Sequence, residues 1–219
     1  MITIACVYRS GGDFTADGVA KLAASIKEHV TVEHRICCLT DRPDEVKQLV
    51  DEAIPLKHDW PGWWAKMELF TLTGPVLYLD LDTWIVGQID ALCKWVEIKT
   101  DAILMLRGFY RNDDCSGIMA WNSDISWLTA KFASFVHNAA WKEQTHGVGC
   151  GGYQGDQDYI RQHLRHLQVP IVSAQDIQPG IYSYKVHVKD KGSIPADSSI
   201  ICFHGLPRPY ELKVEEIFQ

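Results

Sequence analysis

The stretch GPVLYLDLDTWIVG, residues 74 to 87, is an apolar run that ends in two acids separated by one leucine. Carboxylates at the end of a buried strand are costly unless something offsets their charge. Side chains two apart on a strand share a face, which predicts Asp80 and Asp82 side by side. Their place is the carboxyl end of the strand, where open α/β sheets bind ligands. Two crowded carboxylates repel unless a cation sits between them or one is protonated. Hard oxygen donors of this type suit Mn²⁺ or Mg²⁺, with water and a substrate diphosphate completing the coordination. The alternative is structural, with the two acids capping a neighbouring helix or pairing with arginines. Lys66 precedes the pair on a largely apolar helical stretch, WWAKMELFTL, and is expected to face the same diphosphate.

The elements that must position these groups read as α/β. ITIACVY (residues 2–8) and HRICCLT (34–40) have strand length and apolar character. Between them Val19, Leu22, Ala23, Ile26 and Val30 follow helical spacing, with Thr15 as N-cap. DRPDEVKQLVDEA reads as a second helix, with Val46, Leu49, Val50 and Ala53 on one face, and Asp41 is either its N-cap or, with Thr40 and Arg42, part of the ligand-facing rim. A helix from about 63 to 72 leads through Gly74-Pro75 into VLYLDLD. Further strands are expected at AILMLRG, SGIMAWN, VPIVSA and SIICFHG, and helices near 124–138 and 156–167. THGVGCGGYQG, between those helices, reads as a mobile surface loop. SYKVH (183–187) reads as a strand carrying Lys185 and His187. His163 and His166 fit an exposed helix face. HDWPGWW puts Trp60, Trp63 and Trp64 close together, at least one expected in the core and one near substrate. The pattern predicts a single domain, 1–219, with a mostly parallel central sheet flanked by helices: a nucleotide-binding part over about 1–90 and a donor/acceptor part over about 91–219.

Composition narrows the function. A formal net charge of −7 over 219 residues argues against nucleic-acid binding, which needs clustered Lys and Arg. Hydrophobic residues at 47% with 22% charged are ordinary for a globular chain. No stretch is long and apolar enough for a membrane span. Seven cysteines without a C-x-x-C pair, and no basic-then-apolar leader at the N-terminus, give the expectation of reduced thiols and a cytoplasmic location. No G-x-x-x-x-G-K-[ST] loop is present, and GVGCGGYQG does not follow a strand, so ATPase and dehydrogenase readings fall away.

Five stretches, in order, carry a resemblance. LYLDLDTWIVG resembles the D-x-D strand of GT-A-fold glycosyltransferases, in particular family 8, the glycogenin and bacterial galactosyltransferase group. WWAKMELFTL is similar to the helix bearing that family's donor-binding lysine, here Lys66. CSGIMAWN is similar to its N-A-G strand, with Cys115 or Ser116 in place of the asparagine. YQGDQDYI resembles its D-Q-D segment, and CFHGLPRPY its closing H-x-x-G-x-x-K-P-W, with His204, Gly205, Arg208, Pro209 and Tyr210. Here the histidine stands next to the glycine, Cys202 occupies the family's histidine position, and Arg208 replaces the lysine.

The resemblance implies a retaining transferase that takes a nucleotide-sugar donor, most simply a UDP-sugar, and an acceptor that is a glycan, a protein or a small molecule. It implies Asp80, Asp82 and His204 as metal ligands. Tyr8, Arg9, Lys66, Asp80, Ser116, Gly117, Lys185, Gly205 and Arg208 would bind the donor. Asp156 and Gln157 would line the reacting face of the sugar, with Lys66 assisting catalysis electrostatically. Two alternatives stand beside it: a sugar-phosphate nucleotidyltransferase, of whose glycine-rich loop YRSGGDF is a poor version, and a catalytically silent nucleotide-sugar-binding protein.

Overall fold

The structure is a computed structural model and describes residues 1–138 and 152–209. Its centre is a seven-stranded sheet in the order β3-β2-β1-β4-β7-β6-β8. The strands are β1 (Ile2–Tyr8), β2 (His34–Thr40), β3 (Glu52–Pro55), β4 (Val76–Leu79), β6 (Ile103–Arg107), β7 (Asp114–Trp121) and β8 (Ile171–Ser173). β7 runs antiparallel to both neighbours, β4 and β6, and every other pairing is parallel. A second sheet, in the order β5-β10-β9, joins β5 (Thr83–Ile85), β9 (Ile181–Ser183) and β10 (Ile200–Cys202). The strand expected in SIICFHG therefore belongs to this small sheet, not the central one.

Strand alternation builds two cores, one on each face of the central sheet. Ile4, Cys6, Leu77 and Leu79 join one cluster, under helices α1 (Ala16–His29) and α3 (Asp90–Glu97). Ala5, Cys37, Val76 and Tyr78 join the other, under α4 (Trp127–Asn138) and α5 (Asp156–His166). The second core is rich in rings: Trp64 stacks on Phe132 at 5.0 Å, and Tyr159 meets Phe132 edge-on at 5.1 Å. Trp60 and Trp64 are buried there, while Trp63 is exposed, so the tryptophan group divides as its composition suggested.

Several local expectations need correction. The helix after β2 is only α2 (Pro43–Val46), because Glu52–Pro55 is recruited as β3, paired in register with Cys37–Thr40. Asp41 does not cap it. Arg42 is the N-cap residue, and the Asp41 carboxylate instead accepts from the Ser10 amide at 2.8 Å and from Arg9 at 2.5 Å. Thr15 is the N-cap residue of α1 but contributes no side-chain cap bond. Gly62–Thr71 winds as a 3₁₀ helix in which every residue from Trp64 to Phe70 is buried. Buried on all sides over that run, charged residues included, it gives no amphipathic period from which winding could be read. SYKVH is not a strand: Ser183 ends β9, and Tyr184–Val188 forms a π-helical turn. His163 is half-buried, stacked on Tyr159 at 4.0 Å, whereas His166 is exposed as expected. The glycine-rich loop lies outside the described residues up to residue 151. No helix among the described residues is long and apolar enough to cross a membrane.

Candidate active site

β4 stops at Leu79, and Asp80–Asp82 turn out of the sheet, with the Thr83 amide bonded to the Asp80 carbonyl at 3.0 Å. A turn at a sheet edge, rather than strand alternation, brings the two acids to one cavity. The antiparallel strand β7 reaches the same edge. Leu79 pairs with Ile118, so Ser116 and Gly117 run just past it, and the Asp80 amide donates to the Gly117 carbonyl at 2.9 Å. The cavity is about 740 Å³ and opens along this edge from the end of β1 to the end of β6.

At its floor Lys66 comes up from the 3₁₀ helix. Its ammonium lies 3.0 Å from Asp80 Oδ1, 2.9 Å from Asp156 Oδ2 and 3.2 Å from Ser116 Oγ. Ser116 in turn donates to Asp156 at 2.8 Å, and its amide meets Gln157 Oε1 at 3.4 Å. The first turn of α5 supplies Asp156 and Gln157, and Arg161 pins that helix to the start of β7 by bridging Asp158 at 2.9 Å and Asp113 at 2.8 Å. Thr129 fixes the 3₁₀ helix from below, donating to the Met67 carbonyl at 2.6 Å. Lys66, Asp80, Asp156, Ser116 and Gln157 thus form one connected group. Its members come from four separate stretches of chain.

The electrostatics follow from that packing. Burial raises the Asp80 carboxyl to about 6. Lys66 pulls it down, the nearby Asp82 pushes it up, and Tyr78, which donates to it, pulls it down again. Burial by itself would lower the Lys66 pKa, but the attraction of Asp156 and Asp80 lifts it above the ordinary lysine range, so it stays charged. Tyr78 is the member that the motifs did not reveal. It stands two residues before Asp80 on an apolar strand, where a phenol is read as core.

Asp82 has a different partner. Arg208 Nη1 lies 2.6 Å from its Oδ2, and Nη2 lies 2.7 Å from Asp13, while the guanidinium stacks over Phe14 at 4.5 Å. Asp13 and Phe14, in the turn after β1, are further members that carry no motif of their own. Pairing with an arginine was the structural alternative for this acid, and it is what Asp82 does.

The expected ligand triad does not form. His204 lines the cavity, but its Nε2 is bonded to Ser183 Oγ at 2.6 Å and its ring stacks on Phe109 at 5.6 Å. Burial and the neighbouring Lys185 lower its pKa, which favours the neutral ring. Among the described residues, no group of three or more His, Cys, Asp or Glu side chains is placed to hold a metal ion. Two hard carboxylates on one cavity remain, with Gly117 leaving space at Asp80: a Cβ there would stand 3.4 Å from Oδ2. This set fits a cation bound jointly with a diphosphate, and does not fit a cation held by protein groups alone.

The other expected donor residues divide. Arg9 lines the cavity, already paired with Asp41 and Asp59. Tyr8 is buried away from it, its hydroxyl donating to Glu45 at 3.1 Å, because alternation turns it to the face opposite Val7 and Arg9. Lys185 and Gly205 do not line the cavity but hold its closing segment. The Lys185 ammonium donates to the His204 carbonyl at 3.1 Å, in space a side chain at 205 would crowd. Tyr210 lies outside the described residues.

No protein-family model matches the sequence, and neither does any curated protein. Solved structures do match. The glycosyltransferase GlyE of Streptococcus pneumoniae TIGR4 superposes with a TM-score of 0.62 at 15% identity, over 96% of this chain and 57% of that one. Its apo form gives 0.61 at 14%, over 95% and 56%. The chain thus spans a little over half the length of these neighbours. What the likeness establishes is a fold shared with a glycosyltransferase: an α/β architecture with a mostly parallel seven-stranded sheet flanked by helices.

Proposed function

We propose that the chain is a glycosyltransferase that transfers a sugar from a nucleotide-sugar donor, most simply a UDP-sugar, to an acceptor hydroxyl. The observation that carries this reading is the buried Lys66–Asp80–Asp156–Ser116 cluster at the edge of a glycosyltransferase-type sheet, opening on one cavity with Asp82 and Arg208. Donor cleavage breaks the bond between the anomeric carbon and a phosphate oxygen, and negative charge builds on the departing diphosphate. The acceptor oxygen forms the new bond, and its proton ends on the released diphosphate.

Lys66 is a positive group held in place on the cavity before the reaction, where electrostatic catalysis is most effective, and Arg208 is a second cation on the same cavity. Asp156, fixed by Lys66 and Ser116, and Gln157 line the sugar's side of the cavity. Retention of configuration remains part of the proposal, by the D-Q-D resemblance. A divalent cation at Asp80 and Asp82 would supply Lewis-acid stabilisation of the leaving group. Arg208 would have to give up Asp82 for that, and its Nη1 would then turn to diphosphate oxygens.

Thermal unfolding with UDP, GDP and ADP, each with and without Mn²⁺, tests the reading, because a ligand that binds only the native state raises the melting temperature. UDP with Mn²⁺ is expected to stabilise, with release of UDP from a UDP-sugar as the activity readout. A catalytically silent binder is the second reading, favoured by the Asp82–Arg208 ion pair. Turnover of a UDP-sugar excludes it, and UDP binding without turnover supports it.

A further inference from the structure

Large apolar side chains exposed inside a charged cavity call for a ligand. Among the described residues, two of the exposed large apolar side chains line the cavity: Trp63, 42% exposed, and Tyr110, 71% exposed. The sheet order fixes which end of the cavity Tyr110 occupies. Arg9 follows β1 and Tyr110 follows β6, and the order β1-β4-β7-β6 separates them by three strand spacings, roughly 14 Å. A nucleoside diphosphate seated at the β1 end and on the central charges leaves the β6 end vacant for a second substrate.

Of the two, Trp63 is the one carried on the same helix as Lys66. A 3₁₀ helix has three residues per turn, so residues three apart eclipse. Trp63 and Lys66 therefore share one edge of the Gly62–Thr71 helix, separated by one turn of roughly 6 Å. The indole packs against the backbone of Gly155, the residue before Asp156, where a Cβ would meet Nε1 at 3.5 Å. The Nε1 edge of the ring thus lies beside the element that carries Asp156 and Gln157, and the side chain lines the cavity. Gln157, Arg111 and Asp113 line the same cavity. A flat aromatic surface in a cavity that also carries planar polar groups matches a pyranose, whose C–H face is apolar and whose rim is hydroxyls.

Resting on the glycosyltransferase reading above, we propose that Trp63 is the stacking surface for the acceptor and that the acceptor is a saccharide, with a pyranose ring against the indole one helical turn from Lys66. Trp63 is then a specificity-determining residue, not a catalytic one.

Saturation-transfer difference NMR on the full chain, with UDP and Mn²⁺ present and lactose, maltose and cellobiose as probes, tests this. At least one probe is expected to show transfer to its ring C–H protons. Trp63→Ala should weaken that probe about tenfold, the size of an aromatic stacking contribution, and Trp63→Phe should recover most of the loss. The thermal shift produced by UDP with Mn²⁺ should be the same in wild type and both variants, which also shows that they fold. Absence of transfer from all three sugars in the wild type overturns the proposal, and so does transfer that persists unchanged in Trp63→Ala. A UDP shift lost only in Trp63→Ala would move Trp63 to the donor and overturn it as well. Absence of any UDP shift in the wild type would instead overturn the parent reading, with saccharide binding still scored separately by the NMR signals.

Discussion

Lys66 is the side chain on which the charge state of the site depends, and replacing it by methionine isolates that role. Methionine keeps the apolar stem packed in the 3₁₀ helix and removes the ammonium 3.0 Å from Asp80 and 2.9 Å from Asp156. Asp80 already stands at about 6 with Lys66 in place, because burial and Asp82 outweigh the lysine. An adjacent opposite charge holds a carboxyl down, so Lys66→Met should move Asp80 further up from about 6. At pH 7 the wild-type group is mostly ionised, and the variant group should be distinctly less so. The assay is ¹³C NMR titration of aspartate carboxyls, with the Asp80 signal assigned by Asp80→Asn.

Stability shows the same linkage. A carboxyl whose folded pKa is raised contributes stability that is fully present below its unfolded pKa of 3.8 and is lost as pH rises through about 6. For Asp80 that amounts to at most about 3 kcal/mol. Lys66→Met, which leaves two carboxylates without their cation, should cost about 3–5 kcal/mol at pH 8 and distinctly less at pH 5, where Asp80 is neutral. An Asp80 titration midpoint unchanged in the variant, with equal destabilisation at both pH values, would refute the account of Lys66 as the group that keeps Asp80 ionised.

Asp82→Asn removes the carboxylate that Arg208 Nη1 reaches at 2.6 Å, and it should abolish the shift produced by UDP with Mn²⁺ in a thermal scan while the protein stays folded. Phe132→Ala empties the centre of the ring cluster between Trp64 and Tyr159. It should cost about 3–5 kcal/mol in urea unfolding, or roughly 6–20 °C in melting temperature. Gly180 has φ +81, and a Cβ there would stand 2.1 Å from the Asp197 carbonyl, so Gly180→Ala should destabilise the native state by about 1–3 kcal/mol or more, read by chemical denaturation. Burial pushes the Cys115 and Cys93 thiols up to about 12, so iodoacetamide at pH 7.5 should leave both unmodified in the native protein, by peptide mass spectrometry, and label both in urea.

The sequence by itself determined what short-range chemistry determines. β1 and β2 were legible because they are continuous apolar runs of strand length, and α1 because its apolar positions repeat at helical spacing. Asp80 and Asp82 were legible as a pair because acids are rare at the end of such a run. Lys66, Asp156, Ser116, Gln157 and Arg208 were legible by resemblance, and all of them meet in the one cavity. What the tertiary structure decided is who pairs with whom. Asp82 meets Arg208 across 126 residues of chain, and Lys66 meets Ser116 across 50. His204 turns to Ser183 because β9 and β10 lie side by side in a small sheet that no local pattern announces. Winding was equally a tertiary matter. A run buried on every side, as Trp64 to Phe70 is, carries no periodicity, so Gly62–Thr71 could become a 3₁₀ helix and set Trp63 one turn from Lys66. Spacing along the chain names the groups that can do chemistry, but their partners depend on contacts between distant segments, and those exist only once the two cores have closed around the sheet.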